Sequence, residues 1–114
     1  MRILVCGGRD YADQDTVFAT LDNVVEIFGE ITGVIHGAAK GADSLAGKWA
    51  NDRNIAELKY PADWAKYGKR AGYLRNQEML DKGKPDFVVA FPGGRGTAMM
   101  VDIATKAGVS VWEV

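Results

Sequence analysis

The chain has 114 residues, 47% of them hydrophobic and 25% charged, with a formal net charge of −1. That length and balance fit one soluble globular domain with its own core, and they exclude the global cationic field that drives non-specific nucleic-acid binding. Cys6 is the only cysteine and His36 the only histidine, so no intrachain disulfide can form, a His-based zinc site is excluded and no metal is expected. No apolar run approaches the ~20 residues of a membrane span, and the apolar run at the start is too short for a signal segment. The expected setting is a reducing cytoplasm, with no membrane partner.

Short apolar runs alternate with helical periodicity, the pattern of βαβ units around a parallel sheet. Ile3–Cys6 reads as a strand closed by Gly7-Gly8. A helix follows from Asp15 to Phe28, with Val17, Leu21, Val24, Val25 and Phe28 at helical spacing and Gly29 as its C-cap. Ile31–His36 reads as the second strand, and Gly37–Gly41 as a turn rich in glycine and alanine. A second helix spans Ala42–Arg53, and Ile55–Tyr60 is the third strand, ended by Pro61. Pro61–Lys69 is irregular and aromatic, and a third helix covers Arg70–Lys82. Asp86–Phe91 is the most hydrophobic run, as a central parallel strand should be. Pro92–Gly96 forms another glycine loop, a fourth helix runs from Thr97 to Ala107, and Val109–Val114 is a final strand. The expected fold is α/β, a Rossmann-like three-layer sandwich around a parallel sheet of five strands, with residues 1–114 forming a single domain.

Ligands of open parallel sheets bind outside the carboxyl ends of the strands. Three turns fall at such ends: Gly7-Gly8-Arg9-Asp10, Gly37–Gly41 and Pro92–Gly96. Glycines let backbone approach a ligand closely, and the N–H groups opening the next helix attract an anion, most often phosphate. Pro92, Gly93, Gly94, Arg95, Gly96 and Thr97 are therefore candidate phosphate ligands, with Thr97 either capping the helix or donating to a phosphate oxygen. In the second turn Lys40 offers a charge, and Asp43 either caps its helix or accepts from ribose hydroxyls. His36 is either a ligand contact or a structural histidine. Arg9 either grips phosphate or pairs with a carboxylate. Neither a Walker A loop nor a GxGxxG fingerprint is present, and no cofactor is expected. Aromatics and cations interleave from Tyr60 through Trp64, Lys66, Tyr67, Lys69, Arg70, Tyr73 and Arg75, a pattern suited to stacking on a base or to single-stranded nucleic acid. The bland alternative has Trp64 packing inward. Met99 and Met100 start a stripe that reads as core or as a dimer contact.

The ordered set Gly7-Gly8-Arg9-Asp10-Tyr11, His36-Gly37-x-x-x-Gly41-Ala42-Asp43, Pro61-Ala62-Asp63-Trp64, Ala71-Gly72-x-x-Arg75-Asn76 and Ala90-Phe91-Pro92-Gly93-Gly94-x-Gly96-Thr97-Ala98 resembles the YspA-type branch of the SLOG superfamily. That superfamily joins the "lonely guy" phosphoribohydrolases with DprA/Smf-like DNA-binding proteins. The resemblance implies a Rossmann-like fold and a nucleotide-derived ligand, sensed or processed, often in bacterial or phage conflict. It also implies self-association, as a homodimer or larger homo-oligomer. Arg75-Asn76-Gln77-Glu78-Met79 is similar to the Arg-Lys-x-x-Met segment of the phosphoribohydrolases, so Arg75 can take that arginine's role. Their Pro-Gly-Gly-x-Gly-Thr-x-x-Glu motif ends here on Met100, which cannot act as acid or base. The reading is a binding module with candidate ligand residues Gly7, Gly8, Arg9, Asp10, His36, Gly37, Lys40, Gly41, Asp43, Trp64, Arg75, Asn76 and Pro92–Thr97. A phosphoribohydrolase-like N-glycosidase and a single-stranded nucleic-acid binder are the alternatives. The acidic balance argues against nucleic acid.

Overall fold

The structure, a computed structural model, describes all residues from Met1 to Val114. Five strands alternate with helices: β1 (Arg2–Cys6), α1 (Gln14–Phe28), β2 (Gly33–His36), α2 (Ala42–Asp52), β3 (Ala56–Lys59), α3 (Trp64–Tyr67), α4 (Ala71–Asp81), β4 (Phe87–Ala90), α5 (Arg95–Lys106) and β5 (Ser110–Glu113). A 3₁₀ turn over Gly68–Arg70 links α3 to α4. All strands are parallel in the order β3-β2-β1-β4-β5, the doubly wound order of a Rossmann-like fold.

The pleat of β1 divides the core. Ile3 and Val5 face one side, where they pack with Val17, Leu21 and Val24 of α1 and with Ala46, Trp49 and Ala50 of α2. Leu4 and Cys6 face the other, against Met79 of α4 and Met100 and Ala104 of α5. Each fully buried Leu, Ile or Val contributes about 1.5–3 kcal/mol from lost water contact. β1 and β4 are sealed on both faces and read as unbroken apolar runs for that reason. The small residues Ala42, Ala46, Gly47 and Ala50 let α2 lie close to the sheet.

Local signals set the helix ends. Asp13 caps α1 by accepting from the Thr16 N–H at 3.1 Å, and Gly29 ends it at φ +97° while donating to the Val25 carbonyl. Most element edges shift by a residue from the sequence pattern, and three departures have a physical cause. β2 starts at Gly33, after Ile31, because only Gly33–His36 enters the ladders with β1 and β3. The aromatic stretch after Pro61 contains α3, opened by the Asp63 carboxylate accepting from the Lys66 N–H. Helix α5 starts at Arg95, so the glycine loop before it is only Pro92–Gly94.

Candidate functional site

From β1 the chain steps outward through β2 to β3, then crosses back to place β4 on the other side of β1. The loops leaving β1 and β4 therefore diverge and open a crevice at the carboxyl edge. A cleft of about 860 Å³ occupies it, within the size range of small-molecule sites. Its walls are Gly7–Tyr11 after β1, Pro92–Gly94 with the first turn of α5, Trp64 and Lys69 before α4, and Gly72, Tyr73, Arg75, Asn76 and Met79 on α4.

The loops interlock through backbone. Gly8 donates to the Pro92 carbonyl at 2.8 Å, and its own carbonyl accepts from Ala42 and Tyr11, both at 3.2 Å. A Cβ on Gly7 would lie 2.6 Å from the Ala42 Cβ and 2.9 Å from the Phe91 Cβ, so only glycine lets the three elements close together. Gly41 turns into α2 at φ +77°, where a side chain would be driven into the Gly8 and Arg9 carbonyls.

Gly94 is the N-cap of α5 and supplies no side chain, and no other side chain caps that end. The Thr97 hydroxyl does not fill the role. The N–H groups of Arg95, Gly96 and Thr97 thus open the helix with no intrahelical partner and with the positive end of its dipole. Four cationic side chains line the same cleft, Arg9, Lys69, Arg75 and Arg95, against the two carboxylates of Asp10 and Asp43. Arg9 lies over the Trp64 ring at 5.4 Å, a cation–π contact that holds both at the rim. Trp64 is half exposed, and does not pack inward. Tyr11 sits beside Phe91 at 5.5 Å between ring centres.

The floor is more constrained. Asp43 is buried, and its Oδ2 accepts from the Gly37 N–H at 3.1 Å and the Ala39 N–H at 3.3 Å. It secures the preceding turn and does not cap its own helix. Burial pushes its carboxyl above the ordinary carboxylate range, and the Ala39 N–H, His36, Arg75 and the Gly37 N–H partly oppose that. Arg75 donates from Nη1 to the Gly37 carbonyl at 2.6 Å and from Nε to the Asn76 Oδ1 at 2.9 Å. Burial lowers its pKa, with the Asp43 charge opposing and the Arg9 charge adding to the effect. Asn76 then donates to the Gly96 carbonyl at 3.1 Å, which ties α4 to the first turn of α5.

Other sequence-selected residues lie outside the walls. Gly37, Lys40 and Gly41 shape the second turn without lining the cleft, and His36 is sealed behind it. His36 Nδ1 accepts from the Ala38 N–H at 2.9 Å, which puts the proton on Nε2, and Nε2 meets the Glu57 carboxylate at 2.6 Å. The histidine thus has a structural task, holding a turn in which Ala38 adopts φ +56°. Met100 is fully buried in the core with Leu4 and Val88, so it is not an exposed dimer contact. Met99 faces the cleft. Asp102 is exposed and pairs with Lys106 at 3.0 Å, away from the site.

The cleft also takes in Cys6, Tyr11, Ala39, Lys69, Gly72, Tyr73, Met79 and Met99, which sequence reasoning did not put among the ligand residues. The signal for Met79 was its four-residue spacing from Arg75, and for Lys69 and Tyr73 the basic–aromatic run. No group of three or more His, Cys, Asp or Glu side chains could hold a metal ion. No helix is long and apolar enough to cross a membrane.

The "Gene 61 protein" of Mycobacterium phage D29 is 38% identical over an alignment 117 positions long, gaps included, that spans 96% of this chain and 93% of that protein. No solved structure matches. The profile of the YspA, cpYpsA-related SLOG family (YAcAr) matches residues 1–67, from β1 through the first two glycine turns to the end of α3. With more than half its length under that profile and its loops interlocked around one crevice, the chain belongs to the YspA-related SLOG family.

Proposed function

We propose that the cleft binds a nucleotide or nucleotide-derived molecule, such as a nucleoside phosphate, an ADP-ribose-like compound or a cyclic nucleotide, and that the protein senses or sequesters it. The observation that carries this reading is the uncapped start of α5, set in a cleft with Arg9, Lys69, Arg75 and Arg95. Free N–H groups and a surplus of cations suit phosphate. Trp64, Tyr73 and Tyr11 in the same walls suit a base. Binding without cleavage is favoured because the residue aligned with the phosphoribohydrolases' glutamate, Met100, is apolar and buried in the core. The mycobacteriophage relative supports a role in the contest between phage and host, inside the host cytoplasm.

Calorimetry against nucleoside monophosphates, ADP-ribose and cyclic nucleotides tests the reading, with Gly94→Asp as the informative variant. A Cβ at Gly94 meets nothing within 4 Å. Aspartate there is a favoured N-cap, better than glycine by about a few tenths of a kcal/mol, and its carboxylate would sit where the phosphate is to bind. The expected result is an unchanged or raised thermal midpoint with binding lost. A panel in which nothing binds would falsify the proposal. Free base released from AMP would replace it with a hydrolase.

A further inference from the structure

Asp43 and Arg75 both line the inner part of the cleft, and each retains unused bonding capacity. The Oδ2 of Asp43 is occupied by the Gly37 and Ala39 N–H groups, while Oδ1 takes no hydrogen bond from the protein. Arg75 spends Nε on Asn76 and Nη1 on the Gly37 carbonyl, while Nη2 makes none. No buried side-chain oxygen or nitrogen lacks a partner, so both free atoms reach the solvent of the cleft. The two side chains do not join in an ion pair, although each charge is felt by the other. Both are held in place by the same turn, because Gly37 donates to Asp43 and accepts from Arg75. The result is a fixed acceptor and a fixed donor that open on the same cleft.

An anion is repelled there by Asp43, and a cation by Arg75. A hydroxyl fits, since one oxygen can donate to Asp43 and accept from Arg75 at once. We propose that Asp43 and Arg75 form a sugar-hydroxyl subsite, which selects ribosyl over deoxyribosyl ligands. This rests on the nucleotide reading above. The exposed aromatics Trp64 and Tyr73 stand at the rim, where a base can stack. The start of α5 takes the phosphate. The floor is then left to the sugar.

The test is calorimetry of the unmodified protein with AMP, GMP, CMP and UMP, each beside its 2′-deoxy and 3′-deoxy forms. Loss of one charge-assisted hydrogen bond is expected to weaken binding of at least one deoxy form by about tenfold or more. In Asp43→Asn the amide oxygen must keep the Gly37 and Ala39 N–H groups, so its NH₂ turns toward the cleft and presents no acceptor. That variant is expected to discriminate less between ribo and deoxy forms than the native protein does, since the Arg75 donor alone remains for the hydroxyl. Equal binding of ribo and deoxy forms by the native protein overturns the subsite and leaves the nucleotide reading standing. A preference that is undiminished in Asp43→Asn overturns it too, as does binding of none of the monophosphates. The nucleotide reading falls only if ADP-ribose and the cyclic nucleotides also fail. If Asp43→Asn does not fold, as judged by thermal unfolding, the ligand series on the native protein decides, with Arg75→Lys expected to weaken ribo forms more than deoxy forms.

Discussion

Cys6 shows how the cleft can be lined by a reactive residue type without gaining reactivity. Its side chain is buried at the end of β1, on the α4–α5 side of the sheet. Burial, with smaller contributions from Asp43 and Glu113, pushes its thiol up to about 12. The thiolate is the nucleophile, so the folded protein should alkylate with iodoacetamide at pH 8 on the order of 10³-fold more slowly than the chain in urea. Mass spectrometry of timed samples measures this, and rapid labelling of the folded protein would contradict the burial. Single residues were also where the sequence was hardest to read. His36 stands at a strand end beside two glycine turns, which suits a ligand contact as well as a structural role. Glu57, twenty-one positions away, decides between them, and the pairing of β2 with β3 brings it there. Met100 shows the same limit. Its neighbour Met99 is just as apolar, and only the rotation of α5 sends one to the core and the other to the cleft.

At the scale of elements, the turns are legible because glycine and strand-end position are both written locally. The five strands and the four longer helices follow from periodicity, and so does the C-cap at Gly29. The start of α5 was less legible, since Thr97 is a common cap residue and Gly94 carries no cap side chain. Helix α3 was missed because four residues are too few to show a helical period. The glycines of these turns separate into two kinds, with opposite predictions. Gly41 holds φ +77° against the Gly8 and Arg9 carbonyls, so Gly41→Ala meets both backbone strain and a clash with main chain. It should lose about 2 kcal/mol or more. Gly96 lies inside α5, and a Cβ there meets nothing within 4 Å. Gly96→Ala should gain about a few tenths of a kcal/mol from helix propensity, since it lies in the first turn and not the interior of the helix. Urea unfolding of the two variants beside the parent checks both signs. A neutral Gly41→Ala would mean that the three loops are not locked together.

Across the whole molecule, two carboxylates on either side of the second turn give stability opposite pH dependences. Burial raises the pKa of Asp43 above its ordinary value of 3.8. The folded state then holds the proton more tightly than the unfolded chain, so this contribution is complete below the unfolded value and is lost as pH rises through the folded one. Burial acts the same way on Glu57, but the hydrogen bond with His36, together with Lys59 and Asn51, outweighs it and holds the carboxyl below 4.5. Its contribution is complete above 4.5 and is lost as pH falls through the lowered folded value. Thermal midpoints taken from pH 3 to pH 8 should therefore separate the two groups. Asp43→Asn should gain on the parent as pH rises from about 4 toward neutrality, since it keeps the turn's N–H partners and never ionises. Glu57→Gln should lose to the parent near neutrality and converge with it below about pH 4, where the parent's carboxylate is protonated as well. If the Asp43→Asn curve runs parallel to the parent across this range, the carboxyl is not strained by burial. The floor of the cleft would then be wetter and looser than the bonds from Gly37 and Ala39 require.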